Sequence, residues 1–147
     1  SGTINVPMMS ITANTRIDAT GQSVTLNGSN ATPYMFAITT GIPRSELELK
    51  NLTMTQGAGP IIENLGGKVT LTDCVVTGNT PQSGSVIFNT NIQDSAGRMS
   101  LINTTVSGNL VTSPTIFNDG EMILTNSVVS VLLEFITVAA VITLSPR

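Results

Sequence analysis

The chain has 147 residues, which suits one domain, and we treat 1–147 as a single unit. Only 10% of the residues are charged, the formal net charge is −3 and no basic run occurs, which argues against nucleic acid or an anionic membrane surface as partner. Histidine and tryptophan are absent, and one cysteine excludes a disulfide within the chain.

The first third of the chain predicts short β-strands without a clear repeat. Apolar residues at Ile4-Asn-Val6, Ile11, Ile17 and Val24-Thr-Leu26 supply inward positions, and Tyr34-Met-Phe-Ala-Ile38 supplies another short strand. Turn residues separate these stretches. We interpret this part as degenerate early coils of the repeat that follows.

Four later segments share one pattern: apolar-x-Leu-x-Asn/Asp, two residues, an apolar residue, a small polar residue and usually Gly-Asn. They begin at Leu47, Val69, Met99 and Met122. A repeating unit of this length cannot bury its own apolar face and must stack on copies of itself. The repeat therefore predicts a solenoid.

Each repeat is completed by a third apolar stretch that ends in asparagine, as in Ile61-Ile-Glu-Asn64, Val86-Ile-Phe-Asn89 and Thr115-Ile-Phe-Asn118. Apolar residues alternate with period two, and Val, Ile and Thr dominate, which favours strands. A β-sandwich would not require equivalent strands to look alike. We therefore predict an all-β solenoid of about six short coils of three strands, with stacked coils over 3–127.

The run Leu-Thr-Asp/Asn-x-x-Val-x-Gly-Asn, followed by a Gly-rich gap and Ile-Phe-Asn, resembles bacterial right-handed parallel β-helix surface proteins. It is similar to the repeats of polymorphic outer-membrane proteins and of related pectate-lyase-like surface proteins. The resemblance covers roughly residues 3 to 130. It implies the fold and a surface or extracellular location. It implies no single activity, because the superfamily includes lyases, hydrolases, adhesins and inert stalks.

One polar position recurs in all four repeats, and we expect its side chains to lie one above the next at a corner of the solenoid. We predict that they form a buried structural ladder, each side chain bonding the backbone of its own turn and of its neighbour. A calcium site would need clustered carboxylates, and only one member is charged, so we predict no metal and no cofactor. The ladder positions are Asn51, Asp73, Asn103 and Asn126.

The slot directly after the ladder holds Cys74, Thr104 and Ser127. We predict a stack of small inward-facing side chains there. A reactive cysteine would need electropositive surroundings, and no positive residue is near Cys74 in sequence.

The nine carboxylates of the chain are scattered, and we predict no catalytic residues. Alignment of Glu48 with the following coils gives Thr70, Ser100 and Ile123, which builds no acid pair. Glycoside hydrolysis needs two facing carboxylates. Sugar binding commonly uses aromatic platforms, and aromatic residues are only 3% of the chain. The sequence thus favours neither an enzyme nor a lectin.

Pairs of the form Thr-x-Thr are typical of flat ice-binding faces. Such pairs occur at Thr53/Thr55 and Thr70/Thr72. In the coil after the second pair, Ser100 and Ile102 take the corresponding positions, so the array is not maintained. The sequence alone therefore gives this function little support.

The C-terminal segment, 128–147, departs from the repeat. From Val128 to Leu144 it is almost wholly apolar, with Glu134 as the only charge. It is shorter than the ~20 residues of a membrane helix, which makes membrane insertion the weakest interpretation. The alternatives are a last coil or cap and a surface that docks on another subunit. The predicted assembly contacts are Val131, Leu133, Phe135, Val138 and Ile142.

These observations predict a non-enzymatic extracellular or cell-surface protein, a solenoid subunit of a self-assembling filament or surface layer. Its predicted partner is itself, because unlike ends that meet head to tail do not close a ring and so extend. One alternative is a passenger segment of a larger adhesin or autotransporter. Another, from a different class, is a degenerate polysaccharide lyase or hydrolase.

Overall fold

The computed structural model describes residues 1–30, 33–39, 44–82, 84–92, 95–130 and 142–145. In these residues the chain forms seventeen β-strands and no α-helix. All pairings between the strands are parallel. The strands are β1 (Gly2–Asn5), β2 (Met9–Ile11), β3 (Thr15–Asp18), β4 (Val24–Asn27), β5 (Phe36–Thr39), β6 (Glu46–Lys50), β7 (Leu52–Thr55), β8 (Ile62–Leu65), β9 (Lys68–Thr72), β10 (Val75–Val76), β11 (Ile87–Thr90), β12 (Arg98–Ile102), β13 (Thr105–Val106), β14 (Ile116–Asn118), β15 (Glu121–Thr125), β16 (Val128–Val129) and β17 (Ile142–Ser145).

Successive strands go to three different sheets, so three strands complete one coil. Sheet A has the order β1-β4-β7-β10-β13-β16, sheet B the order β2-β5-β8-β11-β14, and sheet C the order β3-β6-β9-β12-β15-β17. The predicted parallel β-solenoid with three strands per coil is confirmed. It makes about five turns. Two coils are longer than the others: Val24 pairs with Leu52, and Val75 with Thr105.

The core consists of columns of like residues that stack along the solenoid. Alternation along each strand turns every second side chain inward, and the parallel register places equivalent side chains above one another. Each fully buried side chain of this size contributes about 1.5–3 kcal/mol. Inward columns include Leu49, Leu71, Leu101 and Leu124 in sheet C and Leu26, Met54, Val76 and Val106 in sheet A.

The first coil of the described residues leaves two apolar side chains exposed. Ile4 belongs to the inward column of sheet A, since it pairs with Leu26, yet 54% of its surface is exposed. Met8, between β1 and β2, is 50% exposed. Strands β1, β2 and β3 each lie at the edge of their sheet, and no other described strand covers them. The first coil therefore presents core side chains to solvent.

At the C-terminal end, β17 pairs with β15 in register, from Met122 opposite Ile142 to Thr125 opposite Ser145. Ile142, one of the predicted assembly contacts, is the first residue of this strand. The other four, Val131, Leu133, Phe135 and Val138, lie outside the described residues. The described part of the chain contains no helix long and apolar enough to cross a membrane.

The stacking register makes a prediction about two neighbouring positions of sheet C. Leu101 is fully buried in an inward column, whereas Ile123, in the adjacent strand, is 48% exposed. Leu101→Ala should lower the free energy of unfolding by about 2–5 kcal/mol, because it opens a cavity. Ile123→Ala should change it by less than about 0.5 kcal/mol. Denaturant unfolding checks both, and equal effects would contradict the register.

Candidate functional site

The four predicted ladder residues share an unusual backbone conformation. Each follows a strand of sheet C, and their φ angles are 55° at Asn51, 52° at Asp73, 49° at Asn103 and 48° at Asn126. Among residues other than glycine, asparagine and aspartate adopt this left-handed region most readily. The recurrent Asn/Asp is therefore explained by the backbone of the corner.

The predicted burial of this ladder is wrong. Asn51 is half-buried and the other three residues are exposed. The Nδ2 of Asn103 donates to the Oδ1 of Asp73 at 3.0 Å, and the Nδ2 of Asn51 donates to the Oγ1 of Thr20 at 2.9 Å. The left-handed turn points the corner side chain outward and sends the next residue into the core. The stack thus lies on the outside of the corner.

That next residue forms the first of three inward ladders, as predicted for Cys74, Thr104 and Ser127. The Oγ1 of Thr104 donates to the carbonyl of Ile102 at 3.0 Å and accepts from the backbone N–H of Cys74 at 3.4 Å. The Oγ of Ser127 accepts from the backbone N–H of Thr104 at 3.0 Å. Each hydroxyl satisfies a corner carbonyl of its own coil and an amide of the preceding one.

The second inward ladder is formed by the asparagines of the Gly-Asn motif. Asn79 and Asn109 are buried. The Nδ2 of Asn79 donates to the Oδ1 of Asn109 at 2.8 Å, and the same oxygen accepts from the backbone N–H of Asn79 at 3.1 Å. In the preceding coil, the N–H of Gly57 donates to the Oδ1 of Asn79 at 2.9 Å.

The third inward ladder consists of asparagines at or next to the ends of the strands of sheet B. The Nδ2 of Asn64 donates to the Oδ1 of Asn89 at 2.7 Å, and the Nδ2 of Asn89 donates to the Oδ1 of Asn118. Asn64 also exchanges two hydrogen bonds with the backbone of Gly67. Sequence reasoning recognised these asparagines only as strand ends. The alternation from Ile62 to Asn64 was the available signal that they point inward.

Cys74 is not a chemical site. Its side chain is buried, and the thiol donates to the carbonyls of Leu49 at 3.4 Å and Thr72 at 3.3 Å. Burial raises the pKa of the Cys74 thiol, and the neighbouring carboxylate of Asp73 adds to this. A thiol held neutral in this way is a poor nucleophile.

The charged groups of the chain gather on the outer face of sheet C. Glu46, Lys68, Arg98 and Glu121 lie in one cross-strand column. Lys68 pairs with Glu46 at 3.3 Å and Arg98 with Glu121 at 3.0 Å. A groove of about 490 Å³ runs along this column, lined by Arg44, Glu46, Lys68, Arg98, Met99, Ser100, Glu121 and Ile123.

A second outward column of the same sheet begins with Arg16 and Glu48, which approach to 3.8 Å. The predicted alignment of Glu48 with Thr70, Ser100 and Ile123 is confirmed. The pKa of Asp18 is lowered to about 2, chiefly by the hydroxyl and the backbone N–H of Thr20. Asp18 therefore stays ionised and cannot serve as a general acid near neutral pH.

This groove does not provide the carboxylate pair of a glycosidase. Glu46 and Glu121 are three strand spacings apart, about 14 Å along the sheet. Glycosidases hold their two carboxylates about 5–9.5 Å apart. Among the described residues, no three His, Cys, Asp or Glu side chains are grouped so that they could hold a metal ion.

Comparisons with protein-family models, with curated proteins and with solved structures found no match. The likeness to bacterial surface proteins therefore rests on the repeat motif alone. The structure itself shows the parallel β-solenoid.

The contrast between inward and outward asparagines yields a prediction. Asn89→Leu should remove both the acceptor of the bond from Asn64 and the donor to Asn118 in the core, and lower the free energy of unfolding by about 1–3 kcal/mol. Asn103→Gly should cost less than about 0.5 kcal/mol, because glycine accepts the left-handed backbone and the lost side-chain bond is exposed. Thermal and denaturant unfolding measure both. If Asn103→Gly proved the more damaging change, the assignment of the ladders would be wrong.

Proposed function

We propose that this chain is a non-enzymatic structural protein of the cell surface or extracellular space, a solenoid that associates end to end with copies of itself. The observation that carries the proposal is the open N-terminal end, where Ile4 and Met8 are about half exposed although Ile4 lies in a core column. Apolar residues exposed in this way mark an interaction surface.

The backbone of this end favours association as well. The outer edges of β1, β2 and β3 present N–H and C=O groups that no described strand pairs. Edge strands recruit further strands unless they are capped, covered or charged. The sequences of β1 and β2, Gly-Thr-Ile-Asn and Met-Ser-Ile, contain no charged residue. Nothing in these two strands opposes the addition of another coil.

A second copy is the partner whose shape fits this end. The repeat gives every coil the same three-sheet cross-section, so the C-terminal end of one molecule can continue the sheets of the next. Contact between unlike ends does not close and produces a filament or layer. Val131, Leu133, Phe135 and Val138 stay predicted contacts on the C-terminal side, together with Ile142 at the start of β17.

The described chemistry supports a role without catalysis. The cations of the sheet C groove at positions 68 and 98 are paired with carboxylates, and the single thiol is buried and neutral. In the adhesin or autotransporter alternative, further coils of a longer chain would cover the open end. A degenerate lyase or hydrolase would need carboxylates closer together than those of the groove.

The test is self-association of purified protein. Wild-type protein should form rods under negative stain and show concentration-dependent sedimentation. Ile4→Lys places a charge in the proposed contact and should leave a folded monomer, since burying an unpaired charge is costly. Thr70→Lys is the control, because it also introduces a lysine, on the outer face of β9 in the middle of sheet C.

Wild-type protein that stays monomeric at high concentration would refute end-to-end association. Equal loss of assembly in Ile4→Lys and Thr70→Lys would place the contact elsewhere. The double change Leu133→Lys and Phe135→Lys should also abolish assembly while the circular dichroism of the coils is unchanged.

A further inference from the structure

The outer face of sheet A differs from the rest of the surface. Its outward side chains form two columns of six, one residue per coil in each column, and none of the twelve is charged or aromatic. The first column is Thr3, Thr25, Thr53, Val75, Thr105 and Val128. The second column is Asn5, Asn27, Thr55, Thr77, Ser107 and Ser130.

The first column consists entirely of β-branched residues, held in register across six strands without a slip. Such side chains are stiff at χ1, so their methyl groups repeat with the strand spacing of ~4.8 Å, and the four threonines add a hydroxyl group at the same spacing. Along each strand the two columns are about 6.6 Å apart. The face is therefore a regular two-dimensional array.

The register of the second column continues past the ends of the short strands. Thr77 donates its backbone N–H to Met54 at 3.1 Å, and Ser107 donates to Val76 at 3.1 Å. Gly78 and Gly108 border the column. A Cβ at Gly78 would come within 2.9 Å of the Thr55 hydroxyl, and one at Gly108 within 3.0 Å of the Thr77 hydroxyl. Glycine thus leaves space for the hydroxyl groups of the array.

These hydroxyl groups are free to bind an external partner. Within the described part of the chain, the side-chain oxygens of Thr3, Thr25, Thr53, Thr55 and Thr105 make no hydrogen bond. All five residues are half-buried or exposed. These hydroxyl groups can therefore donate hydrogen bonds to water and accept them from water, and methyl groups lie beside them.

The array extends further than the sequence alone indicated. Sequence analysis compared Thr53/Thr55 with Thr70/Thr72, but the structure places the first pair in sheet A and the second in sheet C. The true continuation of Thr53/Thr55 lies in β4 and β1 on one side and in β10, β13 and β16 on the other. The interruption by Ser100 and Ile102 therefore belongs to another face.

We propose that the outer face of sheet A is an ice-binding surface. The array has a fixed spacing and no charge, whereas charged groups would hold their own hydration shells against an ordered layer of water. The outward charges of the solenoid lie mainly on sheet C instead, at Arg16, Asp18, Glu46, Glu48, Lys50, Lys68, Arg98 and Glu121.

Other partners fit this face less well. Protein interfaces take most of their binding energy from Trp, Tyr and Arg, and the face contains none of these. Polysaccharide surfaces are commonly bound by aromatic platforms, and the stacked pair Phe88 and Phe117 lies on sheet B. A lattice of water is the partner that matches an uncharged array of small side chains.

The test is thermal hysteresis, the gap between melting and freezing of a single ice crystal, together with adsorption of fluorescently labelled protein to ice. Wild-type protein should show both. Thr53→Lys puts a charge in the middle of the array and should reduce hysteresis to the level of buffer. Thr70→Lys is the matched control, because Thr70 is a half-buried threonine on the outer face of sheet C.

Thr105→Lys should act like Thr53→Lys, so that a folding defect in one variant does not decide the outcome; circular dichroism verifies that each is folded. Val75→Thr extends the hydroxyl groups of the first column without a gap over its first five positions and should retain or increase hysteresis. Ile4→Lys should leave ice adsorption intact, which separates this proposal from end-to-end assembly.

Absence of hysteresis and ice adsorption in wild-type protein would overturn the proposal, as would equal losses in Thr53→Lys and Thr70→Lys. Adsorption to crystalline cellulose or chitin in place of ice would overturn the choice of partner.

Discussion

A solenoid places three corners of every coil against its own core, and the polar groups of those corners must find partners away from water. Three inward ladders meet this requirement here. They are the small stack through Thr104, the pair Asn79–Asn109 and the chain Asn64–Asn89–Asn118. An unsatisfied buried amide costs about 1–3 kcal/mol. Each ladder bond avoids this cost by pairing groups of neighbouring coils, and so it joins one coil to the next. The apolar columns and the outer faces depend on the register that these bonds hold.

Once the register is fixed, the three outer faces are free to differ. Sheet C presents paired charges around a groove, sheet B presents the stacked rings of Phe88 and Phe117, and sheet A presents an uncharged array. The ends differ as well, because the first coil leaves Ile4 uncovered. Core stacking thus separates two proposed functions in space, association through an end and binding of a surface through one side.

Much of the fold could be predicted from the sequence because the residues that alternate with period two are also the residues that recur in the repeat. Alternation identified the inward columns, and alignment of the repeats correctly placed Glu48 beside Thr70. The burial of Asn103 was mispredicted, because a recurrent asparagine can satisfy either a left-handed corner or a buried ladder, and a single sequence does not separate these causes. The array of sheet A was missed because its strands β10, β13 and β16 are only two residues long.

The measurement that tests this account most directly is a double-mutant cycle across one ladder, with unfolding by denaturant as the readout. Asn79→Ala, Asn109→Ala and the double variant should give a coupling energy of about 0.5–3 kcal/mol, because the side chains are joined at 2.8 Å. The cycle of Asn79 with Asn64, which belongs to another ladder, should give less than about 0.5 kcal/mol. Zero coupling between Asn79 and Asn109 would contradict the claim that the ladders join the coils.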